Sequence, residues 1–204
     1  MISACIAALV ACAVGGTNSD RYERPQRQTI VTERVVSLPF DAAWDNYVAE
    51  LSKSFFVINN ISRDSRIINV SFSSNTPSEY ADCGKTFRTL THPSLGVQTF
   101  NYDTANSTRF TWAQEGTPLL WEMTRNTKLE GRINIYLAPE VNSTLIRVNA
   151  KYLWQNTSSG VSNTGQSAPA NIFTVDFSSA SPSDEAEVVC ASNGQLERQL
   201  LNLI

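Results

Sequence analysis

The chain changes its hydrophobic period several times, and each change marks an element. From Thr29 to Leu38 a β-branched run predicts a strand, which Pro39 ends. Trp44, Tyr47, Val48, Leu51 and Phe55 then recur at i, i+3, i+4, i+7 and i+11. That spacing predicts a helix to about Ser54, with Asp41 as N-cap and one apolar stripe turned to the core. Period two follows. Phe56 to Ile61 predicts a strand, Ser62 to Ser65 a turn, and Arg66 to Ser73 a strand with Ile68, Val70 and Phe72 on one face. Further strands are expected at 87–91, 98–102, 108–112, 128–137 and 144–154. In the last, Ile146, Val148, Ala150, Tyr152 and Trp154 share one face, and Arg147, Asn149 and Lys151 the other. Residues 155–169 are rich in Ser, Asn, Thr and Gly and read as a long mobile hairpin loop. Asn171 to Phe177 is the final strand. Ser192 and Gln195 fit a capping box, opening a helix in which Leu196, Leu200 and Leu203 share a face.

This order predicts an α+β domain: an antiparallel sheet with one helix in the N-terminal half and a C-terminal helix, both packed on one face. Composition sharpens the picture. Charged residues are 17%, below the roughly 25% usual in soluble domains. Ser, Thr and Asn supply the polarity instead, at 58 of 204 residues. Four Trp, six Tyr and nine Phe provide the apolar area that excludes a disordered chain. A net charge of −3 gives no electrostatic reason to expect nucleic acid.

The first nineteen residues carry no charge, and Ile2 to Val14 is almost wholly apolar. Thirteen residues are too few for a membrane-spanning helix, which needs about twenty. They suit the apolar region of a secretory signal peptide. Within them Leu9-Val10-Ala11-Cys12 resembles the bacterial lipobox. That resemblance implies acylation of Cys12, removal of residues 1–11, and a lipid-anchored protein. Ala13, where an Asp would imply inner-membrane retention, points to the outer membrane, facing the periplasm or the cell surface. The first basic residue is Arg21, which leads to the expectation that Met1 is internal to a longer reading frame. The competing reading of this segment is a buried N-terminal helix. The expected division is a signal peptide at 1–11, a lipidated flexible tether at 12–28 and one domain at 29–204.

With Cys5 removed and Cys12 acylated, two thiols remain, Cys83 and Cys190. An oxidising envelope compartment would join them, closing a loop of more than a hundred residues. Two unpaired buried thiols are the alternative. No C-x-x-C spacing is present to tune a reactive thiolate.

Several segments together resemble uncharacterised bacterial envelope lipoproteins: the lipobox, Val36-Ser37-Leu38-Pro39-Phe40-Asp41-Ala42-Ala43-Trp44, residues 68–74, Tyr80-Ala81-Asp82-Cys83-Gly84, and Gly194-Gln195-Leu196-Glu197. The topology is similar to the helix-grip domains of the C-lipoprotein of the outer-membrane barrel-assembly machinery. The likeness covers about 29–84 and 190–204. It implies a compartment and a fold type, not a partner.

Catalytic chemistry finds little footing. His92 is the only histidine, no G-x-S-x-G elbow accompanies it, and Gly is never clustered as a phosphate cradle. Asp184, Glu185 and Glu187 form an acidic cluster without Ca²⁺-loop spacing, read as a solvated loop. No metal or cofactor is expected. The leading expectation is a non-catalytic envelope assembly module, tethered through its lipid and docking an envelope protein. Its contact loop would be 75–86, where a disulfide would fix Tyr80 and Asp82, with 155–169 a second candidate. The alternative is a lipid or small-molecule binder with a cavity between sheet and helix. Trp44, Phe72, Tyr152 and Trp154 argue that such a space is filled.

Overall fold

A computed structural model describes residues 15–26, 28–183 and 187–204. In chain order the strands are β1 (Thr17–Glu23), β2 (Glu33–Val36), β3 (Val57–Ser62), β4 (Ile67–Ser74), β5 (Ala81–Asp82), β6 (Lys85–His92), β7 (Gly96–Asp103), β8 (Thr108–Ala113), β9 (Leu120–Glu140), β10 (Ser143–Ser162), β11 (Ser167–Ser178) and β12 (Ala191–Ser192). The helices are α1 (Phe40–Leu51) and α2 (Gln195–Leu201), and Pro77–Glu79 makes one 3₁₀ turn.

The molecule is built on the hairpin of β9 and β10. Period two persists along both strands, so one row of side chains faces inward throughout. Ser143 pairs with Glu140 across a tight turn, in which Asn142 takes φ 58°, a left-handed conformation Asn tolerates. At the turn end the hairpin is flanked by β4 and then β3 beside β9, and by β2 beside β10. At the far end β8 pairs with β9 and β11 with β10. Every pairing is antiparallel. A separate three-stranded sheet has the order β1-β6-β7.

Both helices join the main core. Ala43, Trp44, Tyr47 and Leu51 of α1 pack with Ile68, Val70, Ile133, Ile135, Ile146 and Val148, and with Leu196 and Leu200 of α2. The Tyr47 hydroxyl donates to the Leu200 carbonyl at 2.9 Å, tying the helices together. The expected α+β class is therefore the observed one. The Cys83–Cys190 disulfide is present as well, beside the short β5–β12 pair.

The structure corrects several local expectations. Residues 17–23 of the expected tether are strand β1, paired with β6 from Thr17–Thr91 to Glu23–Lys85. Its polar sequence hid it, because the strand is largely exposed. The loop expected at 155–169 is the far half of β10, a short turn and the start of β11. Pro39 rather than Asp41 is the N-cap of α1; Asp41 lies in the first turn and pairs with Arg63 at 2.8 Å. Phe55 falls beyond α1 and is exposed. Gly194 rather than Ser192 is the N-cap of α2, and Leu203 follows the helix and is only partly buried. Cys12, Asp184 and Glu185 lie outside the described residues.

A groove between the two sheets

The inward rows of β9 and β10 change character along their length. Near the turn they carry Leu129, Ile133, Ile135 and Leu137 opposite Ile146, Val148, Ala150 and Tyr152, all in the core. Past Trp154 the same rows continue as Trp121, Met123, Arg125 and Thr127, opposite Asn156, Ser158 and Gly160. Among the described residues no helix covers this half. The small sheet faces it instead, through Thr86 and Arg88 of β6 and Tyr102 of β7, while Phe110 and Trp112 of β8 and Phe173 of β11 form the sides. The result is an open groove of about 680 Å³, within the range of small-molecule sites.

Among the described residues the groove's charge comes from two guanidinium groups, which differ, and from the Glu187 carboxylate. Arg88 is partly compensated: its Nη1 is 3.4 Å from Asp20 Oδ2, and its Nε donates to the Tyr102 hydroxyl at 3.0 Å. It also lies over the Phe110 ring at 4.2 Å. Arg125 is only 7% exposed, and no carboxylate pairs with it among the described residues. Its Nη2 donates to the Thr104 carbonyl at 3.1 Å, and its guanidinium faces the rings of Tyr102 and Trp154. Its Nη1 has no partner among the described residues. Burial pulls its pKa below the ordinary arginine value, and the neighbouring Tyr102 opposes that pull.

Asn156 completes the polar set. Its Nδ2 donates to Ser158 Oγ at 2.9 Å, while its Oδ1 is buried without a donor. Arg125 pairs with Ser158 across the hairpin, which makes Asn156 its diagonal neighbour on the same face. Two orphaned polar groups on one groove floor are unusual, because such atoms nearly always find partners. Trp154 and Trp121 are satisfied, donating to the Ala105 carbonyl at 2.9 Å and to Gln114 Oε1 at 3.2 Å.

The residues expected to form a site lie elsewhere. Tyr80 is 7% exposed and belongs to the core, with its ring 5.1 Å from that of Phe72. Asp82 is half-buried on β5 and accepts the Gly84 N–H at 2.8 Å, capping a turn. The disulfide does fix this segment, but it holds Tyr80 inward. The space between sheet and helices is filled by Trp44, Phe72, Tyr152 and Trp154. His92 ends β6, its Nδ1 accepting the Ser94 N–H at 3.2 Å. Among the described residues no group of three His, Cys, Asp or Glu side chains is placed to hold a metal. Comparison with family models, curated proteins and solved structures gives no match, so the groove is read from its own chemistry. The signal that could have located it is the alternation Trp121, Met123, Arg125, Thr127, which extends the core row without a break.

Proposed function

We propose that the chain is a membrane-tethered envelope lipoprotein whose domain is a non-catalytic binder of a lipid or small molecule. The observation that carries the reading is the groove: apolar aromatic walls, convergent polar groups and a volume suited to one ligand. The lipobox-like Leu9-Val10-Ala11-Cys12 supports the tether, and the Cys83–Cys190 bridge suits an oxidising compartment. Among the described residues no helix is long and apolar enough to cross a membrane. Of the contact residues expected for an assembly module, Tyr80 is part of the core. Relative to that reading, the ligand site moves to the front.

Native mass spectrometry of the protein released from its own membranes tests the binding claim. A retained small molecule that is lost in Ala168→Trp, which fills the groove, supports it. Identical ligand-free spectra for both proteins overturn it. For the tether, palmitate labelling is expected in the wild-type chain and absent in Cys12→Ala; persistence of the label in that variant rejects acylation at Cys12.

A further inference from the structure

The groove floor holds an uncompensated cation and an uncompensated acceptor side by side. Among the described residues Arg125 Nη1 lacks an acceptor, and Asn156 Oδ1 lacks a donor, both with almost no exposed surface at neighbouring positions of β9 and β10. Leaving either group unpaired in a buried site is costly, so an occupant that satisfies both is stabilised by that pairing. The charge count narrows the occupant. Among the described residues Arg88 already leans on Asp20, whereas the positive charge of Arg125 has no ion pair. Glu187, a carboxylate on the lining, is exposed and pairs with neither arginine among the described residues. The Arg125 cation matches a carboxylate of charge −1 better than a phosphate monoester, which carries about −1.5 to −2 near neutrality. With Nη2 donating to the Thr104 carbonyl, Nη1 is the nitrogen that supplies the contact. Around this polar pair the walls are flat and apolar: Trp112, Trp121, Phe110 and Phe173.

We propose that the groove binds a hydroxycarboxylic acid with an apolar body. One carboxylate oxygen accepts from Arg125 Nη1, a nearby hydroxyl donates to Asn156 Oδ1, and the hydrocarbon lies between the aromatic walls. The terminal amide and guanidinium turn toward the groove to make these contacts. This inference rests on the ligand-binding reading above and adds the ligand's chemical class.

Three of the four tryptophans, Trp112, Trp121 and Trp154, line the groove, so their fluorescence reports occupancy directly. The full chain is titrated with 3-hydroxyoctanoate, octanoate, octanol and octylammonium, four probes of one chain length. Expected is the affinity order 3-hydroxyoctanoate above octanoate above octanol, with octylammonium weakest and about tenfold separating octanoate from octanol, the worth of one charge-assisted hydrogen bond. Arg125→Gln should bring octanoate to the level of octanol and leave octanol unchanged. Asn156→Ala should remove the advantage of the hydroxyl alone. Equal binding of octanoate and octanol by the wild-type chain overturns the anion claim while leaving a ligand groove intact. No saturable change with any probe overturns the ligand class and counts against the groove as a binding site at all. The wild-type series decides the anion question even where Arg125→Gln does not fold.

Discussion

Glu197 is fully buried, and its carboxyl oxygens collect the hydroxyls of Tyr152 at 2.8 Å, Ser179 at 2.7 Å, and Ser192 at 3.1 and 3.0 Å. One side chain thus joins α2, β10, β12 and the segment after β11. Glu197→Leu removes the acceptor shared by three buried hydroxyls, of which Ser179 can still turn to the Ala150 carbonyl at 3.3 Å, so a loss on the order of 3 kcal/mol is expected in urea unfolding. A neighbouring pair of tyrosines sets the alkaline limit. Burial raises the pKa of Tyr47 and Tyr152 well above the ordinary 10, and for Tyr152 the adjacent Glu197 adds to the rise. The folded state therefore keeps both protons at a pH where the unfolded chain releases them. The stability they contribute is whole below about pH 10 and declines above it, by about 1.4 kcal/mol per pH unit for each group. Melting curves between pH 8 and 11.5 should show that decline, flattened in Tyr47→Phe. Gly131 illustrates a steric constraint. It pairs with Phe72 across β4 and β9, and a Cβ there would lie 2.1 Å from the Phe72 ring. The ring covers the glycine and fills the space a side chain would occupy. Gly131→Ala should cost about 1–3 kcal/mol through displacement of Phe72.

At the scale of elements, the short helix α2 is held by packing. Seven residues cannot sustain a helix alone; the N-cap Gly194 has no side chain to offer, and Asn193 Oδ1 accepts the Gln195 N–H at 3.0 Å. Leu196 and Leu200 are fully buried against the core, so Leu200→Ala should cost on the order of 2–5 kcal/mol in melting or urea experiments. The disulfide works on the same region from the other side. It closes 107 residues, and in the chain-entropy model a loop of that length is worth up to about 4.7 kcal/mol. Reduction should lower the melting temperature and loosen the β5–β12 pair first, because two-residue strands have little else to hold them. Gly84, next to Cys83, takes φ +75° with its Cα against the Glu23 carbonyl, a position where a Cβ would meet that oxygen at 2.1 Å. Only glycine fits there.

For the whole molecule, the small sheet decides whether the groove exists. β1 anchors it: Asn18 exchanges two hydrogen bonds with the Ala113 backbone of β8, at 2.6 and 3.0 Å. The Tyr22 hydroxyl donates to the carbonyls of Cys83 and Val189 at 3.0 and 3.1 Å, and accepts from the Val189 N–H at 3.0 Å. Deleting residues 17–23 should release β6 and β7 from the large sheet and shift tryptophan emission to the red, as Trp112 and Trp121 meet water. The main core should survive, since β1 contributes nothing to it. A domain that unfolds outright on this deletion would show that the two sheets fold as one unit.

Much of this was legible in the sequence, and the division follows a physical line. Period two at 66–73, 128–137 and 144–154, and period 3.6 at 44–51, report residues that contact a shared apolar core, and those elements lie where the pattern puts them. The cysteine pair was legible too, on the expectation that Cys5 is cleaved off and Cys12 acylated, which leaves a single pairing. The far half of the hairpin was not. Residues 155–162 are polar on both faces, and hydrophobic periodicity vanishes when the inward face lines a groove instead of a core. Strand β1 was hidden by the same logic, since an exposed edge needs no apolar row. Tyr80 shows the converse: its loop composition suggested surface, and only packing against Phe72 turned it inward. The sequence by itself determined the core elements, because burial writes a period into the chain. Tertiary structure alone decided that Arg125 and Asn156 are diagonal neighbours on the groove face, because cross-strand register, not local pattern, sets which residues of β9 and β10 lie together.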